Sequence, residues 1–253
     1  MSEIVKDEGV VLRTYDFLET SMIVSLFTRR RGKIRLIAKG ARRKGFPGAC
    51  LRLGTIGEFV YYLKDTRKLQ LLKEVDCRDG VFTEDANFEA LCILQAGLEI
   101  IDRLTEEGGE DEENFDLLKG FIRNLAFARE PWAMFFAFEI GFLRNYGLYP
   151  SSSYCARCGV ELKGNVFVES SVAAFLCEKC AGKSAFPLKE DSFEVLRRME
   201  SGSIDSKAFE TIRTMTIGEP ERKEIGRMLH RVFQRHMERY RLPGSLKMLG
   251  GVS

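Results

Sequence analysis

Hydrophobic positions in the first 80 residues follow a period of two. Along Lys33–Ala38, Ile34, Leu36 and Ala38 alternate with Lys33, Arg35 and Ile37, which gives a strand one apolar face and one mostly basic face. Val10–Leu12, Met22–Phe27, Glu58–Leu63 and Leu69–Val75 read as four more strands. Arg30-Arg31-Gly32 and the segment Lys64-Asp65-Thr66-Arg67-Lys68 supply turns. Five short strands punctuated in this way predict a small closed barrel.

After Gly80 the period lengthens. Leu91, Leu94, Leu98 and Ile101 recur at helical spacing, as do Phe115, Leu118, Ile122 and Leu125. Trp132–Tyr146 is apolar nearly all round and predicts a central buried helix. The pattern breaks over 150–187, and helices are expected again at about 190–200, 204–216 and 219–240. The domain reading is therefore a barrel over 1–80 and a helical domain over 81–253, interrupted at 150–187. The fold class is α+β. No apolar run reaches membrane-spanning length, and Met1–Glu8 lacks a basic-then-apolar signal, so a soluble, cytoplasmic protein with no membrane partner is expected.

Charge sharpens this division. Residues 1–80 carry 17 Lys/Arg against 10 Asp/Glu, residues 81–150 carry 5 against 14, and residues 151–253 carry 17 against 13. A basic end and an acidic middle imply separate surfaces. The run Glu106–Glu113 is expected as a solvated loop leading into an acidic helix start.

The interrupted segment holds Cys155-Ala156-Arg157-Cys158 and Cys177-Glu178-Lys179-Cys180. Two CxxC pairs flanking a length suited to a β-hairpin can point four sulfurs at one tetrahedral centre. Cys155, Cys158, Cys177 and Cys180 are thus the expected ligands of one structural Zn²⁺ in a zinc ribbon, metal-free thiols being the alternative. No βαβ pattern surrounds either pair, which argues against a redox motif. Four thiolates would also close the coordination sphere, which argues against a catalytic metal. Cys50, Cys77 and Cys92 lie on strand or helix patterns and read as ordinary buried thiols.

Nothing supports catalysis. The two histidines, His230 and His236, are six apart on one helix pattern; there is no GxSxG; and Gly182-Lys183-Ser184 lacks the leading glycine of a phosphate loop, Cys177 standing there instead. The expectation is a protein that is not an enzyme.

Between Glu19 and Glu58 there is no acidic residue. Arg29, Arg30, Arg31, Lys33, Arg35, Lys39, Arg42, Arg43 and Lys44 crowd into this gap, with Arg52 beyond them. A one-sign block fits a polyanion partner, the alternative being solubility alone. On a small barrel the natural polyanion is single-stranded nucleic acid, with Phe46, Tyr61 and Tyr62 either stacking bases or packing in the core.

These residues resemble the RecO family of bacterial recombination mediators. The resemblance rests on Gly9-Val10-Val11-Leu12-Arg13, Glu19-Thr20, Ile23-Val24, Phe27-Thr28, Gly32-Lys33 and Ala38-Lys39-Gly40-Ala41-Arg42-Arg43. It continues through Phe138-Glu139, Leu143, Gly147 and Pro150 into the two cysteine pairs. It implies an N-terminal OB-fold, a helical domain with an inserted zinc site, and no catalysis. The implied role is in DNA repair and recombination. It comprises binding single- and double-stranded DNA, annealing complementary strands and, with RecR, loading RecA onto strands coated by the single-stranded-DNA-binding protein SSB, in association with the nucleoid. The competing readings are a zinc-ribbon accessory subunit of a nucleic-acid-processing enzyme and an RNA-binding OB protein of translation; the long helical domain with an internal ribbon argues against the second.

One basic feature remains. Lys223, Arg227, Arg231, Arg235 and Arg239 recur at every fourth position and form a ridge that winds slowly round the last long helix. It is either a solvated face or a contact for an acid: DNA phosphate, or the acidic tail of SSB that the resemblance implies.

Overall fold

Five strands close into a barrel: β1 (Glu3–Phe17), β2 (Ser21–Thr28), β3 (Gly32–Ala38), β4 (Ile56–Leu63) and β5 (Gln70–Asp79), in the order β1-β2-β3-β5-β4. The structure, a computed structural model, describes residues 3–64, 66–79, 87–169, 173–200 and 206–249. All neighbours are antiparallel except β3 and β5, which pair in parallel at Leu36–Gln70 and Ile37–Leu71. This is the five-stranded topology of the OB-fold. Strand β1 is far longer than its apolar pattern suggested. It pairs with β4 through residues 3–10 and with β2 through residues 9–17, shifting register between Val11 and Arg13. Such a bulge bends the strand, which lets one strand serve both neighbours.

Val24, Leu26, Leu36, Ala38, Phe59, Tyr61 and Leu72 fill the barrel, and Ala41 and Leu51 from the β3–β4 connection pack onto them. Tyr61 is fully buried, and burial pushes its phenol up to about 12. It is therefore core and not a base-stacking residue. Phe46 is also packed against this core.

Backbone contacts group the barrel with the next two helices in one unit, Met1–Ala126, and the remainder in a second, Phe127–Ser253. The expected division near Gly80 falls outside the described residues. Helices α1 (Phe88–Leu104) and α2 (Glu112–Leu125) are capped by Asn87 and Asp111, whose side chains accept from the amides of Glu89 and Asn114. They cross at Gly97, where a Cβ would stand 2.6 Å from the Phe121 ring.

The cysteine expectation needs one correction. Cys92 is a buried free thiol, but Cys50 and Cys77 form a disulfide between the β3–β4 connection and β5. The pairing depends on how that connection folds back against β5, which spacing along the chain does not encode.

In the second unit, α3 (Pro131–Asn145) is buried along residues 131–143, as its all-round apolarity predicted. Around it lie α4 (Glu190–Glu200), α5 (Ser206–Ile212) and α6 (Glu219–His236). Helix α6 stops at His236, short of the expected 240; the Tyr240 ring then turns back onto Phe233, 4.7 Å between centroids. A three-stranded sheet of β6 (Val166–Glu169), β7 (Ala174–Leu176) and β8 (Phe186–Leu188), in the order β7-β6-β8, forms the ribbon. The α+β class, with a barrel followed by helices and an inserted four-cysteine ribbon, is as expected. Among the described residues no helix is long and apolar enough to cross a membrane.

Glu139 lies inside α3 at 4% exposure, and burial holds its carboxyl well above the usual range. The unfolded chain ionises near the ordinary value while the folded chain keeps the proton. Stability of the helical unit should thus fall as pH rises from about 4.5 toward neutrality. Glu139→Gln should flatten that dependence, checked by denaturant unfolding at several pH values.

Candidate functional site

The four ribbon cysteines converge. Their sulfur atoms all lie within 4.8 Å of one another, and Cys158 and Cys177 sulfurs are 3.7 Å apart. A tetrahedral metal–thiolate site with bonds of about 2.3 Å has edges of roughly 3.8 Å, so the donor set fits a metal ion. Local backbone builds both knuckles. Gly159, at φ +71°, closes the first, its amide donating to the Cys155 carbonyl at 2.9 Å. The Cys180 and Ala181 amides donate to the Cys177 carbonyl at 3.0 and 3.1 Å. Burial pushes the Cys155 thiol up, but amide donors from Cys177, Cys158 and Arg157 outweigh it and bring the thiol down to about 6. Hydrogen bonding to Cys158, then burial, pushes Cys180 up to about 12.

The approach to the ribbon is also braced. Glu200, at the end of α4, accepts from Tyr149 Oη at 2.6 Å and from Ser152 Oγ, and pairs with Arg144 of α3. On α6, the Arg231 guanidinium sits 4.3 Å above the ring of Phe186 in β8. The predicted ridge is therefore not uniform. Arg231 stacks on the ribbon, Lys223 pairs with Glu219 at 2.6 Å, Arg227 and Arg235 are exposed, and Arg239 lies beyond the helix end.

The basic block of the barrel divides in the same way. Strand alternation points Lys33 and Arg35 outward, where the acidic helices meet them. Lys33 is 8% exposed; its Nζ donates to the carbonyls of Asp102 and Thr105, capping the C-terminal end of α1. Arg35 pairs with Glu107. Arg29 lies over the Phe115 ring at 5.4 Å and meets Glu8, Glu112 and Asp116. Asp102 also takes Arg13 at 2.7 Å and Ser25 Oγ at 3.4 Å. Gly32, at φ +56°, has the Gly109 carbonyl only 2.3 Å from where a Cβ would stand. Any side chain there would drive the acidic loop off the strand. The run Glu106–Glu113 is largely exposed and leads into the acidic start of α2, as expected, but its backbone is also docked on β3, where the Gly108 amide donates to the Lys33 carbonyl at 3.0 Å.

The other predicted cations lie elsewhere. Arg30 is exposed and Arg31 half-buried in the β2–β3 turn, where the Arg30 amide donates to Asp7 at 3.3 Å. Lys39, Arg42, Arg43 and Lys44 are exposed on the segment leaving β3, which is tied to the β1–β2 turn by the Arg42 amide donating to the Thr20 carbonyl. Arg42 pairs with Asp16 at 3.2 Å. The β4–β5 turn adds Lys64, Arg67 and Lys68, all exposed. Buried Gln70 fixes this turn, accepting from the Lys64 amide at 2.9 Å and donating to the Lys64 carbonyl at 3.2 Å. In the sequence these three residues read only as turn formers, although they cluster.

The family pattern described as "Recombination protein O N terminal" matches residues 1–81, and "Recombination protein O C terminal" matches residues 86–245. The chain belongs to the RecO family. It is 31% identical over 213 residues to the DNA repair protein RecO of Anaeromyxobacter dehalogenans (strain 2CP-C), covering 82% of this chain and 84% of that one. It is 30% identical over 200 residues to the DNA repair protein RecO of Bacillus subtilis (strain 168), covering 76% and 75%. Against the DNA repair protein RecO of Chloroherpeton thalassium the identity is 26% over 245 residues, covering 92% and 93%. The RecO resemblance read from the sequence therefore stands.

The four-thiol cluster generates a prediction. Purified protein should carry one tightly held metal ion per chain, and Cys158→Ser should lose it. Amide protection in β6 and β7 should fall, while α3, which has its own core, stays protected. Full protection of the ribbon in metal-free protein would contradict this.

Proposed function

We propose that this protein is a non-catalytic recombination mediator of DNA repair. It binds single- and double-stranded DNA, anneals complementary strands and, together with RecR, helps load RecA onto strands covered by SSB. The supporting observation is a family match across both halves of the chain, joined to an exposed cluster, Lys39, Arg43 and Lys44, beside the barrel. Phosphate contacts of this kind supply affinity through counterion release and carry no sequence preference. Annealing needs just that: two strands held loosely enough to exchange, with base pairing left to the strands. The metal of the four-cysteine site is Zn²⁺, in keeping with four sulfur donors and a closed tetrahedron. Its role is to fix the ribbon, and the protein works in the cytoplasm, at the nucleoid.

On this reading the cations of residues 29–44 are not equivalent. Arg29, Lys33 and Arg35 hold α1 and α2 on the barrel, and Lys39, Arg43 and Lys44 meet phosphate. Arg30, Arg31 and Arg42 are secondary contacts. On α6, Arg227 and Arg235 are the ridge residues open to the SSB tail or to DNA phosphate, while Arg231 serves the ribbon. Lys223 is held by Glu219, and Arg239 lies past the helix.

A strand-annealing assay without nucleotide, run with and without SSB, tests the function. The mediator reading expects accelerated annealing on both substrates; strand cleavage or ATP turnover would point to an enzyme subunit instead. Replacing Lys39, Arg43 and Lys44 by alanine should flatten the log–log salt dependence of single-strand binding by about 2, at roughly 0.7 per lost contact. Arg35→Ala should leave that slope unchanged. Replacing Arg227 and Arg235 by alanine should weaken binding of an SSB tail peptide and spare naked-DNA affinity. Loss of DNA affinity alone would move the ridge to the DNA surface.

A further inference from the structure

The register of the barrel places six outward side chains in one unbroken row. Tyr15 pairs with Ile23, Ile23 with Ile37, Ile37 with Leu71, Leu71 with Tyr62, and Tyr62 with Ile4. Their strand neighbours on the inner side, Val24, Leu36, Tyr61 and Leu72, are core residues, so alternation turns the row outward. Tyr15 is 52% exposed and Ile4 55%, and the four between them are half-buried. At about 4.8 Å per strand the row runs on the order of 24 Å round the barrel wall. The adjacent row, Arg13, Ser25 and Arg35, is engaged by α1 and the loop after it: Asp102 takes Arg13 and Ser25, and Glu107 takes Arg35. The apolar row begins where those contacts stop.

Cations flank the middle of the row. The segment with Lys39, Arg43 and Lys44 continues from β3 just after Ile37, and the turn with Lys64, Arg67 and Lys68 enters β5 just before Leu71. Among the described residues none of these six has a carboxylate within ion-pair distance. An apolar, partly aromatic strip bordered on both sides by cations matches a chain with flat apolar bases and regularly spaced phosphates. A folded protein partner would be expected to answer some of those cations with acids, and a duplex keeps its bases inside.

We propose that single-stranded nucleic acid lies along this row. Bases rest on Tyr15, Ile37, Leu71 and Tyr62, and phosphates meet the two basic loops. The proposal rests on the DNA-binding reading above and goes further: it moves the path off the β2–β3 face beneath the acidic helices and adds the β4–β5 turn as a contact.

The test uses the full-length protein, with fluorescence anisotropy of a labelled oligothymidylate and of a labelled duplex. Because both tyrosines point outward, Tyr15→Ala with Tyr62→Ala should leave the unfolding midpoint near that of the native chain. Single-strand affinity should drop roughly ten- to a hundredfold, duplex affinity much less, and the salt slope should not change, since no charge is removed. The Tyr→Phe pair should retain binding. Replacing Lys64, Arg67 and Lys68 by alanine should flatten the slope by about 2. As a second readout, the indole introduced by Tyr62→Trp should be quenched by the oligomer. If native protein binds the oligomer but the alanine pair binds equally well and the emission of the Tyr62→Trp variant is unmoved, the row is not the path, and the DNA-binding reading survives. If native protein binds neither DNA, that reading falls and takes this inference with it.

Discussion

The contact between the acidic α1–α2 segment and the basic face of β2–β3 organises the first unit. Arg29, Lys33 and Arg35 stand in the most basic stretch of the chain, and each meets a carboxylate or carbonyl from residues 102–116. Exposed ion pairs contribute little individually, typically under about 1 kcal/mol each. The weight comes from what accompanies them: Phe27 against Phe115, the Lys33 ammonium on the end of α1, and the Gly109 backbone seated on Gly32. Together they turn two segments of opposite charge into one body and decide which cations remain available to a partner.

That selection has a functional consequence. An OB barrel with an open strand face would offer its ligand the outward residues of β2 and β3. Here Lys33 is buried and Arg29 and Arg35 are paired with acids, and the unpaired charge moves to the connections on either side of the short β3–β5 seam. The four-cysteine ribbon, in the other unit, solves a different problem. Three strands of three or four residues have little apolar surface of their own, and the ribbon adds to it four converging cysteines and anchors such as Arg231 over Phe186.

Much of this was legible in the sequence because it is encoded locally. Alternation located the five strands, helical periodicity located α1 to α3, and two CxxC spacings located the four cysteines that converge in the ribbon. The misreadings share a cause, dependence on contacts distant along the chain. The length of β1 depends on partners on both sides and a bulge, since Lys6, Asp7 and Glu8 break its apolar pattern. The Cys50–Cys77 bond depends on the fold-back of the β3–β4 connection. The fate of Arg29 and Arg35 depends on carboxylates some 70 to 90 positions away. The charge totals hinted at this, since a basic segment and an acidic segment in one chain can answer each other before either meets a partner. The outward row from Tyr15 to Ile4 was invisible for the same reason: its members come from five strands, and only the register joins them.

The most direct test of this account neutralises the acids. In full-length protein, Glu107→Gln, Glu112→Gln and Asp116→Asn together should release Arg35 and loosen Arg29 without touching the barrel core. Single-strand binding should then tighten and its log–log salt dependence steepen by up to about 1.4, two contacts at roughly 0.7 each. An unchanged slope in a folded triple variant would show that these cations were already reaching the nucleic acid, and that the acidic helices do not set the binding surface.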